Sequence, residues 1–135
     1  MIVIDSSAIV AILLLEPAAG ALRERLSREG EALLSVANYV EIGQVLAQRE
    51  PRSAAAVLYD YHAFLDASVI VLAPVDEAQA RIALEARLRY GRGFGHRARL
   101  NYSDCFAYAL AKSRRLPLLF IGDDFTHTDV VPALP

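Results

Sequence analysis

Four short apolar runs, set apart by longer stretches of helical pattern, constrain this chain more than any other feature. Ile2-Val3-Ile4, Ala32 to Val36, Val69 to Leu72 and Leu118 to Ile121 each have the length and residue types of a buried strand. Between them lie patterns of helical period. These cover residues 7 to 15, 18 to 29 (closed by Gly30), about Ala37 to Arg49 (broken by Glu50-Pro51), about Arg52 to Ala67, 75 to 89 after Pro74, and about Ser103 to Arg114. Val130-Val131 is a candidate last short strand. Buried strands alternating with helices predict an α/β fold with a central, mainly parallel sheet flanked by helices. The 135 residues suit one domain spanning 1–135, and no repeat, linker or low-complexity segment interrupts them.

In such sheets ligands bind beyond the carboxyl ends of the strands, so the residues that follow each strand are where chemistry is expected. Asp5 follows the first strand directly, and Asp123 and Asp124 follow the fourth, after Gly122. Asp5 has two readings. It is a good N-cap residue for the next helix, although Ser6 could cap instead, and it is an ionisable group placed between two apolar runs. Asp104 sits on the apolar stripe of its helix, with Ala107, Tyr108 and Ala111 at three, four and seven residues on. With Asn101 as N-cap it also complements the helix dipole, and the two roles are compatible. Glu41 points the other way. Asn38, Gln44 and Gln48 surround it on the helix, while Tyr39, Ile42, Gly43 and Leu46 face opposite, so helical geometry alone places it on a solvated stripe.

Acids that converge in one cleft repel each other, and either protonate or take up a cation. Oxygen donors suit magnesium or manganese. His62, His96 and His127 are scattered and Cys105 is the only cysteine, which argues against a zinc site and excludes an intrachain disulfide. The net charge of -2 gives the whole chain no affinity for nucleic acid, so any such contact must be local. The stretch from Arg87 to Arg99 is the candidate, with five Arg, His96 and no acid. Gly91, Gly93 and Gly95 loosen it, Tyr90 and Phe94 are available for base stacking, and Arg92, His96, Arg97 and Arg99 are candidate RNA-binding residues. Of the 14 basic residues 13 are Arg, a bias that a GC-rich genome explains without function. The apolar run Ala8 to Leu15 falls short of the roughly 20 residues a membrane span needs. No Lys or Arg precedes Arg23, unlike a secretory signal. The expectation is an untargeted, cytoplasmic protein without membrane contact.

Three segments resemble a known family. MIVIDSSA at the start, NYVEIGQVLA in the middle and LNYSDCFAYALAKSRRLPLLFIGDDFTHTDV near the end look like PIN domains of the VapC toxin group, which belong to type II toxin–antitoxin systems. The resemblance implies a divalent-metal endoribonuclease using Mg2+, with Mn2+ as substitute. By position, Asp5 and Asp104 match the principal metal ligands, and Glu41 matches the acid of the third helix. The fourth acid falls at Asp123 or Asp124; Asp123, the first residue past the turn, is taken first. Ser6 or Ser103 would position water or phosphate. The resemblance also implies an RNA substrate such as tRNA or rRNA, a homodimer, and a VapB-type antitoxin whose tail has Ile12 to Leu15 as a possible groove wall. Ordinary core packing explains that run equally well.

Competing classes fare worse. A receiver domain wants an acidic pair after the first strand and a late-strand Lys, but Asp5 precedes Ser6-Ser7 and Lys112 lies in a helix. A haloacid-dehalogenase-type phosphatase wants Asp-x-Asp, and position 7 is Ser. A non-catalytic PIN module that only binds RNA or antitoxin would be signalled by a missing acid, and every expected position is occupied.

Overall fold

A computed structural model describes all residues, Met1–Pro135. The elements are β1 (Ile2–Ile4), α1 (Ser6–Leu13), α2 (Ala19–Ser27), β2 (Ala32–Ser35), α3 (Val36–Arg49), α4 (Ala54–Ala67), β3 (Ile70–Ala73), α5 (Glu77–Tyr90), α6 (Asp104–Arg114) and β4 (Leu118–Leu119). The sheet order is β3-β2-β1-β4 and every pairing is parallel, with Ile2 opposite Ala32 and Val3 opposite Leu118. The expected α/β architecture is therefore present. No helix is long and apolar enough to cross a membrane.

Strand alternation divides the core into two layers. Ile2 and Ile4 face a cluster completed by α1 to α4, including Ile9, Leu22, Ile42 and Tyr61. Val3 faces the opposite cluster, built mainly by α5 and α6 with Ala83, Leu110 and Phe125. Period-2 strands force this split, because successive side chains leave opposite faces of the sheet. The chain winds outward from β1 to β2 and β3, then returns past α5 and α6 to lay β4 on the other side of β1. The winding reverses between β1 and β4, so a crevice opens at their carboxyl ends.

Several boundaries differ from the sequence reading. Helix α1 begins at Ser6 and ends before Leu15, which has φ 54° and is largely exposed. The Glu16 amide donates to the Ala11 carbonyl and the Leu15 amide to that of Ile12, a left-handed helix stop on a residue other than glycine. Val69 and Arg115 are left-handed too, at φ 51° and 55°. Val69, read as the start of a strand, instead closes the turn after α4, and β3 begins at Ile70. At the end of the chain, Leu118 donates to the Val131 carbonyl and accepts from the Ala133 amide, so the tail adds one parallel bridge beside β4 rather than a strand.

The Arg-rich loop is anchored at its base. The Leu100 amide donates to the Tyr90 carbonyl, and the Arg92 amide to the Leu100 carbonyl. Gly91 lies so close to the Arg87 carbonyl that a Cβ would collide with it. Tyr90 is buried beneath the loop, edge-on to His96, so it is not available to stack on a base. Phe94 is exposed, and Arg87 lies over its ring.

Candidate active site

The crevice at the switch point is a cleft of about 270 Å³ lined by Asp5, Glu41, Asp104 and Asp124, together with Ser6, Ser7, Glu16, Arg49 and Asn101. Larger concavities of about 420 Å³ lie elsewhere, one around Arg23 and Phe64 and one around Lys112 and Asp129. Neither gathers several acids, so chemistry rather than size singles out the cleft.

Asp5 stands at the end of β1, and only 2% of its surface is exposed. Its Oδ2 accepts from the Ser7 amide at 3.0 Å and caps α1, so Asp5 and not Ser6 is the N-cap. Its Oδ1 is buried with no hydrogen-bond partner. Asp104 is 7% exposed at the start of α6. It closes a reciprocal box with Asn101: the Asn101 amide donates to Asp104 Oδ2 and the Asp104 amide donates to Asn101 Oδ1, each at 2.9 Å. Each aspartate thus commits one oxygen to a helix terminus and has the other uncommitted. The local capping role and the functional position coincide.

Glu41 corrects the helical-stripe reading. It is half-buried and lines the cleft, because the N-terminal half of α3 packs against α1 and α6. Only Gln44 and Gln48 of the supposed solvated stripe are exposed. Asn38, on the same stripe, is fully buried. Its Nδ2 donates to Ser6 Oγ at 3.1 Å and to the Ser103 carbonyl at 3.0 Å. One amide therefore joins the three elements that carry Asp5, Glu41 and Asp104. Sequence reasoning missed this role. The available signal was a polar residue one helical turn before an acid in a helix that must pack on both sides.

Of the two candidates for the fourth acid, the turn brings Asp124 to the cleft rather than Asp123, the one taken first. Gly122 has φ 93°, Phe125 is driven into the core, and of the two acids Asp124 lines the cleft while Asp123 does not. The Ile121 amide donates to Ser7 Oγ at 3.1 Å, tying the exit of β4 to α1. Ser6 is a cleft residue, whereas the Ser103 hydroxyl is spent on Asn101 Oδ1. Arg92, His96, Arg97 and Arg99 are exposed, and none lines the cleft; Asn101, at the loop's end, does.

Electrostatically the cleft is frustrated without a cation. Burial raises the proton affinity of Asp5, against the pull of the Ser7 hydrogen bonds, and the charge of Glu41 raises it further. Asp104 is raised first by burial and next by Asp5, with Asp124 and Glu41 adding to the effect. Glu41 is raised by burial, partly offset by the Ser6 hydroxyl. An orphaned buried carboxylate oxygen among mutually repelling acids fits a divalent cation, and donors that are all oxygen fit a hard one. No three Asp, Glu, His or Cys side chains form a closed chelating group. A cation held here would keep water ligands, as magnesium does. Cys105 is no competitor, because its buried thiol is held near the Asn101 carbonyl and pushed up to about 11 by burial and by Asp104.

The fold of this chain is shared with known proteins. Residues 2–131 match the family described as PIN domain. Ribonuclease VapC42 of Mycobacterium tuberculosis is 47% identical over 131 residues, covering 97% of this chain and 98% of that protein. Among solved structures, the sarcin-ricin loop cleaving toxin VapC20 of M. tuberculosis superposes with a TM-score of 0.78 at 14% identity, covering 100% of both chains. A toxin–antitoxin complex from Klebsiella pneumoniae gives 0.70 at 16% identity, covering 97% of this chain and 95% of that one. The chain belongs to the PIN-domain family, among the VapC ribonucleases.

Proposed function

We propose that this chain is a magnesium-dependent endoribonuclease, the toxin of a type II toxin–antitoxin module, and that the whole of residues 1–135 forms its single PIN domain. The observation that carries the reading is the meeting of Asp5, Glu41, Asp104 and Asp124 in one cleft, with an unpartnered buried oxygen on Asp5. Asp5, Asp104 and Asp124 are the metal ligands, with Glu41 beside them and Mn2+ able to replace Mg2+. A bound ion of this kind supplies Lewis acidity to the phosphate oxygens and makes water nucleophilic near neutral pH.

The protein's own part is to hold these groups still. Caps on α1 and α6 fix one oxygen of each principal aspartate, and Asn38 fixes the elements relative to one another. The raised proton affinity of Glu41 suits it to take the proton released as water attacks phosphorus. Exposed Arg92, Arg97, Arg99 and His96 provide a basic surface for RNA outside the cleft. The partner is a VapB-type antitoxin, and the protein acts as a homodimer in the cytoplasm. Of the expected groove wall, Ile12 is fully buried in the core, so Leu13 to Leu15, partly or fully exposed, are the residues within reach of an antitoxin tail.

The test uses antitoxin-free protein with total RNA, with magnesium or manganese and with chelator. Wild type should cleave only with metal, and Asp5→Asn, which preserves a good helix cap, should cleave slower by a factor on the order of 10²–10³. Equal cleavage by both proteins, or cleavage in chelator, would overturn the proposal.

A further inference from the structure

Five carboxylates line the cleft (Asp5, Glu16, Glu41, Asp104 and Asp124), and one base does, Arg49. Arg49 is the last residue of α3, eight residues beyond Glu41 with Val45 between them, and all three line the cleft. At the rise of an α-helix that separation is about 12 Å along the axis. The Arg49 backbone is therefore displaced from Glu41 along α3. The one ion-pair partner of Arg49 is Glu16, so Arg49 is not paired with Asp5, Glu41 or Asp104.

Two structural explanations for Arg49 are available and both are weak. As a cation in the last turn it complements the dipole of α3, worth a few tenths of a kcal/mol when exposed. Its one acidic partner is Glu16, at 3.9 Å with no hydrogen bond, and the two side chains are 59% and 41% exposed. Such a pair contributes little. What sets Arg49 apart is the pairing of its place in the cleft with unused donors. Arg25, Arg28, Arg52 and Arg81 each donate to a carboxylate at 2.5 to 2.9 Å. The Arg49 guanidinium keeps all its donors free, beside a cleft whose substrate is a polyanion.

We propose that Arg49 is the cleft's phosphate-binding residue, taking a phosphate of the RNA strand that flanks the one cleaved and leaving its loose pairing with Glu16 to do so. The inference rests on the ribonuclease reading. The metal neutralises the phosphate at the acids, but a flanking phosphate entering the same cleft still meets negative charge. A planar guanidinium carried two helical turns beyond Glu41 on α3 is the group that can accept it in a two-pronged contact. Arg49 is thus a substrate-binding residue, distinct from the metal-binding acids and from the loop arginines outside the cleft.

The test separates this proposal from the ribonuclease reading. Binding of a short fluorescent single-stranded RNA is measured by anisotropy across a salt series, in an Asp5→Asn background that needs no cleavage. Cleavage kinetics and thermal melting are measured in the otherwise wild-type chain. Arg49→Ala should weaken binding about tenfold, as expected when a charge-assisted hydrogen bond to phosphate is removed. It should also make the slope of log K against log salt shallower by about 0.7. KM should rise in parallel with kcat nearly unchanged, Arg49→Lys should fall between, and Glu16→Gln should tighten binding. An unchanged affinity and salt slope, or a loss confined to kcat, would overturn the proposal. A lower melting temperature with an unchanged slope counts against it as well. Failure of wild type to cleave any RNA would refute the function, while the anisotropy slope would still decide Arg49.

Discussion

Asp5 and Asp104 are buried, and each is tied by backbone hydrogen bonds at a helix N-terminus on the sheet's edge. Arg92, Arg97 and Arg99 lie a few residues upstream of Asp104 and are exposed, with no hydrogen bond from any guanidinium. Backbone hydrogen bonds pin the loop at its base, by Tyr90, Arg92 and Leu100, and the buried Ala98 and the packing of His96 on Tyr90 hold it further, while the three guanidiniums stay in solvent. The roles proposed for the two regions account for the difference. Groups that hold an ion and orient water must be fixed to fractions of an ångström by surrounding packing. Groups that neutralise phosphates act through screened, long-range charge and tolerate mobility. Burial is what makes the acids costly, and the same burial makes their uncommitted oxygens strong cation donors.

The comparison can be broken most directly at the fourth acid. Asp124→Asn should slow RNA cleavage by about 10²-fold and weaken metal binding, while Asp123→Asn should behave as wild type in both assays. A larger defect in Asp123→Asn would place the wrong acid in the cleft.

The cost of the buried acids sharpens it next. Asp5, Glu41 and Asp104 have proton affinities raised above their unfolded values. Without metal the native state therefore holds more protons than the unfolded state above the usual carboxylate range, near pH 4. Stability from these groups is fully present below that range and is lost as pH rises through the raised values. Metal-free protein should melt at progressively lower temperature on going from about pH 4 towards neutrality, and added magnesium should restore stability. Asp104→Asn should flatten the pH dependence and shrink the magnesium effect. A melting temperature that rises with pH in chelator would contradict the electrostatics of the cleft.

The loop should give the smallest effect. Arg97→Ala with Arg99→Ala should weaken RNA binding severalfold, make its salt dependence shallower by about 0.7 for each phosphate no longer neutralised, and leave thermal stability within about 0.5 kcal/mol. An unchanged affinity and salt slope would remove the loop from substrate binding.

Much of this was legible from pattern. Each of the four strands was visible as a short apolar run, although β3, at the end of the sheet, leaves Val71 and Leu72 exposed rather than buried, and Asp5 and Asp104 stood out by place and facing. The helix ends were less so, because left-handed stops fall on Leu15, Val69 and Arg115 rather than on glycine. Val69 is β-branched and reads as strand, yet the turn after α4 recruits it, a case of tertiary context outweighing local propensity. Arg49 and Asn38 carry no local mark, since an Arg ending a helix and an Asn on a polar stripe are both ordinary.

By itself, then, the sequence determined the layered α/β fold, the strand-end position of Asp5 and the inward-facing helix position of Asp104. Period and strand-end placement are local properties that survive in one dimension. Only the tertiary structure decided that Glu41 faces the acids rather than solvent, because that depends on α3 being wedged against both α1 and α6. Only it put Asp124 rather than Asp123 in the lining of the cleft, because one left-handed glycine and the burial of Phe125 set the direction of the turn. The same packing made Arg49 the one arginine that lines the acidic cleft: its spacing from Glu41 puts both on one face of α3, but only the docking of α3 turns that face towards the acids.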